Sequence, residues 1–230
     1  PASLIFSFQR TQTMTPKQSY YIVALPGDGI GPEVLSAALR VLSLAGELFQ
    51  IDFQVDEIPC GGHYYVEHET EWPAGSFEKC EKADAVLLGA VGHEVDGKTV
   101  FTKPGKPYSE PQLAGFAQVI LNRRKLGLYA NVRPVKLYPN VETPLKDKSP
   151  EDIDFVVVRE NNEGLYVGEG EFINKGKPDE VAIQVSRNSR RGVERCLRYA
   201  FEYTRKRNSK KKTLTLCGKT NVLTYAWDLW

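Results

Sequence analysis

The feature that most constrains this chain is an alternation of strand and helix that begins at Tyr20. Tyr20–Leu25 is a short apolar run rich in β-formers, and it leads straight into PGDGIGPE. That reads as a strand, a tight glycine turn and a helix. Pro32 suits the first helical turn, where its missing N–H costs nothing, and Glu33 places negative charge at the helix start. The spacing predicts a helix to about Phe49, with Val34, Leu35, Ala38, Leu42, Ala45 and Leu48–Phe49 on one face. Ile51–Ile58 alternates like a strand, Ser76–Ala83 suits a short helix, and Ala85–Gly89 (AVLLG) is apolar on both faces like a buried strand. A β-α-β-α-β rhythm of this kind implies an α/β fold with a largely parallel sheet.

Gly92–Tyr108 is a loop rich in Gly, Pro and Lys, and a helix is expected from about Ser109 to Leu126, with Glu110-Pro111 in its opening turn. Leu128–Tyr138 and Asp154–Arg159 read as strands. Leu165–Ser186 holds two β-type runs around Gly176-Lys177-Pro178, the pattern of a hairpin arm. Ser189–Arg207 is amphipathic, with Val193, Cys196, Leu197, Ala200, Phe201 and Tyr203 along one broad face. Thr213–Cys217 reads as a strand, and Val222–Trp230 as the start of a helix.

Gross features bound what such a chain does. Its net charge is +1 over 230 residues, so the overall field gives no reason to expect nucleic acid or a membrane surface as partner. The basic run Arg205–Lys212 is read as a solvated helix end. Cys60, Cys80, Cys196 and Cys217 form no C-x-x-C pair and have no His cluster beside them, so neither a zinc site nor a disulfide framework is expected. Reduced thiols inside a cell are the preferred reading. No window reaches the roughly 18 apolar residues of a membrane span. Residues 1–13 are Ser/Thr-rich with no acidic residue, but lack the basic amphipathic pattern of a transit peptide. A remnant of upstream sequence is preferred there. The apolar stretch in which Trp230 falls suggests C-terminal truncation.

Two sets of residues invite a chemical reading. The turn Gly27–Pro32 imitates a dinucleotide fingerprint, but its third glycine position holds Pro32, where close helix–strand packing needs glycine. The Lys and Ser/Thr of a phosphate-binding P-loop are also missing. Glycines serving a tight turn fit equally well. The arginines say more. Arg123 and Arg124 lie late in one helix, Arg133 in the following strand and Arg159 at the end of FVVVRE. Strand ends are where α/β proteins build ligand sites, and a guanidinium fork grips a carboxylate by two parallel hydrogen bonds. Three of them converging would suit a dicarboxylic acid, although surface ion pairing accounts for each alone.

LPGDGIGPEV, RRKLGLYANVRPVK, VVVRENNEGLYVG and GKTNVL occur in that order, and together they resemble the β-decarboxylating dehydrogenases. That family acts on 3-isopropylmalate, isocitrate, homoisocitrate and tartrate or D-malate. The resemblance implies an α/β, isopropylmalate dehydrogenase-like fold that is not a Rossmann fold, with a large mixed-sheet domain and a smaller middle domain bearing a dimerisation arm. Residues 1–19 would then be an extension, 20–128 the first part of the large domain, and 129–230 the small domain, incomplete. By the same resemblance Arg123, Arg133 and Arg159 bind the two carboxylates of the malate moiety, Tyr166 and Lys219 are catalytic, and Asn221 lies near the nicotinamide. The implied cofactors are NAD, with NADP open, and Mg2+ or Mn2+, whose ligands are expected beyond Trp230; no metal ligand is assigned within the chain. Hydride loss from C2 gives a ketone that a metal polarises, CO2 leaves, and the enol is protonated. Lys219 would take the hydroxyl proton, across the dimer and through a water, once desolvation and nearby cations lower its pKa; Tyr166 would protonate the enol.

Two departures stand out. The family places an acidic residue before the lysine, where this chain has Gly218. Ahead of Arg123, GFAQVILN carries Val119 and Ile120, closer to the leucines of the isopropylmalate type than to the serine and asparagine of the isocitrate type. The expectation is therefore a cytoplasmic homodimeric oxidoreductase of amino-acid (leucine) biosynthesis acting on 3-isopropylmalate, or in an organellar matrix if residues 1–13 are a transit peptide. Tartrate/D-malate and isocitrate/homoisocitrate are the alternative substrates. A non-catalytic regulatory subunit or inactive fragment is the alternative class, and a nucleic-acid binder using Arg205–Lys212 a third.

Overall fold

The computed structural model describes residues 19–92, 94–103, 112–207 and 212–230, excluding the side chains of residues 116–118. The expected extension through residue 18, the helix start at Ser109 and part of the Arg205–Lys212 run lie outside these residues. Two compact units are present, one ending at Ala117 and the other beginning at Gln118.

The first unit is the α/β alternation. Strand β1 (Ser19–Gly27) is central in a three-stranded sheet, flanked in parallel by β2 (Asp52–Glu57) and β3 (Ala85–Ala90). Its central position buries Ile22 to Leu25, with Val23 and Ala24 wholly inaccessible. Helix α1 (Gly31–Phe49) crosses from β1 to β2 and packs on β1 and β3. Leu35 and Gly46 are buried, with Ala38 and Leu42 half-buried between them. The stripe is narrower than the sequence suggests: Val34, Leu48 and Phe49 are exposed, because no described residue covers that side of the helix. A short α2 (Gly62–His68), absent from the sequence reading, and α3 (Ser76–Lys82) lead to β3. β3 pairs on one side only and leaves Leu88 exposed, so AVLLG is an edge strand among the described residues, not a buried one. The expected loop at Gly92 contains a small hairpin, β4 (Glu94–Val95) with β5 (Lys98–Thr99).

The glycine turn after β1 is a packing device. A β-carbon on Gly31 would lie 2.1 Å from the Pro26 carbonyl oxygen and 2.6 Å from that of Ala90. Asp28, buried, accepts hydrogen bonds from the main-chain N–H groups of Gly62 (2.8 Å), His63 (3.0 Å) and Gly92 (3.0 Å). The carboxylate thus binds the loops after β2 and β3 to the turn after β1.

The second unit begins within α4 (Phe116–Lys125), which starts later than expected because Leu113 bridges to Phe101 and Gly115 adopts φ +80°. β6 (Ala130–Lys136) and β7 (Asp154–Glu160) form an antiparallel pair. A 3₁₀ turn at Leu165–Val167 precedes the hairpin β8 (Gly170–Ile173) and β9 (Val181–Gln184), which pair as the sequence suggests. Helix α5 (Arg190–Lys206) packs on β7 through Val193, Cys196 and Ala200; Phe201 stays 61% exposed, outside that contact. Thr213–Cys217 forms no strand, since no described residue offers it a ladder partner. α6 (Thr224–Leu229) ends the chain. All four cysteines are free thiols, and no described helix is long and apolar enough to cross a membrane.

Candidate active site

The register of β6 against β7 builds the site. Asn131 opposes Arg159 and Arg133 opposes Val157, so these residues share one face of the pair. The other face carries Val132, Val158 and Glu160, and α5 covers it. Arg133 and Val157 are exposed, while Arg159 is half-buried at the end of the strand.

Four sequence-chosen residues meet here. Burial pushes the Arg123 guanidinium below its usual range; the Arg159 charge adds to this, as does Arg133 more weakly, while Tyr166 opposes both. Arg159 stands over the Tyr166 ring, 5.3 Å from its centre. Arg123, Arg133, Arg159 and Tyr166 therefore form one electrostatic cluster. Like charges gathered this way repel unless an anion joins them. Among the described residues no carboxylate pairs with any of the three arginines. Two of them have amide acceptors: Arg133 Nε donates to Asn131 Oδ1 (3.0 Å) and Arg159 Nη2 to Asn161 Oδ1 (3.1 Å).

The ENNEG segment is latched on several sides, which holds Tyr166 in place. Glu160 Oε2 accepts from the main-chain N–H groups of Asn162 (3.0 Å) and Glu163 (2.7 Å), closing the turn that follows β7. Its other oxygen lies 3.6 Å from Arg195 of α5, whose guanidinium stands 4.8 Å from the centre of the Tyr129 ring. Glu163 receives both the N–H (2.7 Å) and the hydroxyl (2.6 Å) of Ser189, and the same hydroxyl accepts from Gly192 N to cap α5. Gly164 exchanges both main-chain hydrogen bonds with Arg187, and Tyr166 N donates to the Glu163 carbonyl. Asn162, with its amide oriented to satisfy both atoms, donates to the carbonyls of Leu128 and Arg123. The site segment is thereby tied to the end of α4.

Val119 and Ile120 lie on α4, four and three residues before Arg123, on the same side of the helix and half-buried. Lys219 and Asn221 are not brought into this cluster: both are exposed, and no described hydrogen bond or ion pair links their side chains to the arginines or to Tyr166. The Lys219 carbonyl accepts from Val222 and Leu223 at the start of α6. Gly218 lies under Trp227, where a β-carbon would come within 3.0 Å of the indole. Sequence reasoning passed over Asn131, Asn161, Glu160 and Glu163. All four lie inside the quoted motifs, but the partners of Asn131 and Asn161 follow from the pairing of β6 with β7, and those of Glu160 and Glu163 from the turn after β7 and from α5.

Among the described residues no group of three His, Cys, Asp or Glu is gathered. Around the Gly27–Pro32 turn, the N–H groups of Gly62, His63 and Gly92 are taken by Asp28. What is assembled is a cationic cradle with a phenol beside it, suited to a small polyanion.

Residues 21–230 match the sequence model of a family described as isocitrate/isopropylmalate dehydrogenase. The chain is 40% identical over 209 residues to 3-isopropylmalate dehydrogenase of Thermobifida fusca, covering 91% of this chain and 55% of that one. It is 41% identical over 213 residues to the decarboxylating D-malate dehydrogenase of Escherichia coli, with 91% and 54% covered. Among solved structures it resembles isocitrate dehydrogenase from Methylococcus capsulatus, with a TM-score of 0.69, 30% identity, and 91% and 54% covered. The chain spans about half the length of the curated relatives it matches.

Proposed function

This chain belongs to the isocitrate/isopropylmalate dehydrogenase family, and from that premise we propose that its protein oxidises and decarboxylates a malate-type 2-hydroxy dicarboxylic acid with NAD as acceptor and Mg2+ or Mn2+ as metal. 3-Isopropylmalate is the substrate we assign. The observation that carries the reading is the cluster of Arg123, Arg133 and Arg159 with no carboxylate partner among the described residues. A guanidinium held by an amide keeps its full charge, and two carboxylates would neutralise what the chain leaves open.

In this reading the arginines bind and orient the two carboxylates, and Val119 and Ile120 meet the substrate's side group. Aliphatic contact there suits an isopropyl group and leaves a third carboxylate poorly solvated. Tyr166, fixed by the ENNEG latch and lying against Arg159, is the group that delivers a proton to the substrate carbon after CO2 has left. Lys219 is assigned the proton of the C2 hydroxyl and Asn221 a place beside the nicotinamide, both on the strength of the motif GKTNV.

The family resemblance also supports a homodimer through the β8–β9 hairpin. Two strands alone are marginal in water, and Phe172, Ile173, Val181 and Ile183 are all exposed there. D-malate is the second substrate, since the decarboxylating D-malate dehydrogenase is as similar as the isopropylmalate enzyme. The test is a panel of 3-isopropylmalate, D-malate, tartrate, isocitrate and homoisocitrate on the full-length protein, with NAD or NADP and Mg2+ or Mn2+. NADH and CO2 formed together, fastest with 3-isopropylmalate, support the reading. A folded protein that reduces no cofactor with any of these acids overturns it.

A further inference from the structure

Resting on the reading of the arginines as the substrate's anchors, we propose that Asn131 and Asn161 are positioning residues that hold Arg133 and Arg159 through neutral amide oxygens, so that the cluster keeps its whole positive charge for a dicarboxylate. The two amides form one chain of hydrogen bonds. Asn161 Nδ2 donates to the Leu128 carbonyl (3.1 Å), which fixes which end of that amide faces the arginines. Asn161 Oδ1 then accepts from Arg159 Nη2 (3.1 Å) and from Asn131 Nδ2 (3.2 Å). That second bond turns Asn131 Oδ1 toward Arg133 Nε, 3.0 Å away. One main-chain carbonyl, on the segment leading from α4 to β6, thus sets the orientation of two guanidinium groups.

The choice of asparagine is chemical. Carboxylates at these places would hold the arginines at least as firmly, since charge-assisted hydrogen bonds are the stronger kind. They would also neutralise them and compete with the substrate. An amide oxygen accepts the same hydrogen bond and leaves the charge in place. Asn161 is 5% exposed, so its amide is shielded from water and its bonds are made within the protein. The Asn131–Arg159 register pair places the Asn131 amide on the face that carries Arg133 and Val157, and Val157 is 43% exposed.

The test compares variants of the full-length protein for D-malate affinity by calorimetry and for KM and kcat. Asn131→Asp keeps an acceptor for Arg133 and adds a negative charge; Asn131→Ala removes the acceptor and adds none. Val157→Asp places a carboxylate opposite Arg133 without touching the amide chain. Arg123→Gln reports on the anchor reading itself. The expected result is that both aspartate variants raise KM and Kd by about tenfold or more, as an uncompensated charge close to a bound carboxylate should. Asn131→Ala is expected to raise them only severalfold, with kcat nearly unchanged in all three and melting temperatures close to the parent's. If Arg123→Gln weakens binding but the aspartate variants bind no worse than Asn131→Ala, charge preservation is wrong and the anchor reading stands. Unchanged binding in Arg123→Gln overturns the anchor reading, and this inference with it.

Discussion

Trp227 packs across the backbone of Gly218, so that a β-carbon at residue 218 would lie 3.0 Å from Cζ3 and 3.1 Å from Cε3 of the indole. The residue before the candidate lysine, acidic in the pattern this chain resembles, is glycine where an aromatic ring occupies the space. Gly218→Asp requires the Trp227 ring to give by a few tenths of an ångström and sets a carboxylate beside the indole. Tryptophan emission is expected to shift to the red, and the melting temperature to fall. An unchanged spectrum in a folded variant would show that the ring yields without cost.

Tyr166 stands against Arg159 and is assigned a proton transfer, not the grip on the carboxylates. Tyr166→Phe keeps the ring beneath the guanidinium and removes only the hydroxyl. It should lower kcat by about a hundredfold or more, the usual scale for losing a positioned acid, while the Kd for D-malate stays within about threefold. Steady-state kinetics beside calorimetry separate the two. Loss of binding with kcat preserved would make Tyr166 an anchor and not an acid.

Ser189 caps α5 and is held in turn by Glu163, so one hydroxyl joins the helix to the segment that carries Tyr166. Replacing a capping serine with alanine costs about 1 kcal/mol. Ser189→Ala should cost at least that, because the Glu163 carboxylate also loses a donor. Urea unfolding gives the number directly. A value close to zero would mean that the Ser189 N–H, which also donates to Glu163, carries the link alone.

Glu71 accepts a hydrogen bond from the main-chain N–H of Gly115 (2.5 Å), and burial raises its carboxyl above the ordinary carboxylate range, with that bond opposing. A folded pKa above the unfolded one means that the folded state binds more protons between the two values. The favourable contribution is complete below the unfolded pKa and is lost as pH rises through the folded one. Glu71→Gln removes the charge and keeps an acceptor for Gly115. It should raise the melting temperature at neutral pH and have less effect at pH 4, because acidification favours the protonated carboxyl of the parent. Thermal melts across that range decide it, and an equal gain at both pH values would mean that the proton plays no part.

Much of the architecture is legible from local pattern. The strand–turn–helix start, the hairpin around Gly176-Lys177-Pro178 and the capped helix after Ser189 are local events, and residues close in sequence specify them. So is the presence of Arg123, Arg133, Arg159 and Tyr166 in recognisable segments. Thr213–Cys217 has the composition of a strand and is none, because a strand depends on a ladder partner that its own residues do not supply. Phe201 belongs to the apolar face of α5 by spacing but lies beyond the edge of β7's contact.

Residue order alone determined most of the elements, the charges available and the family to which the chain belongs. Only the tertiary structure decided which groups meet. The antiparallel register sets Asn131 opposite Arg159, and the Leu128 carbonyl orients Asn161. Through these contacts Arg133 and Arg159 acquire amide partners in place of carboxylates. Asp28 fills a glycine turn that sequence leaves open to two readings, and Trp227 covers Gly218. The physical reason is the same in each case: side-chain periodicity is a property of a few consecutive residues, whereas hydrogen-bond partners and steric fit depend on residues far apart in the chain that folding brings within 3 to 4 Å.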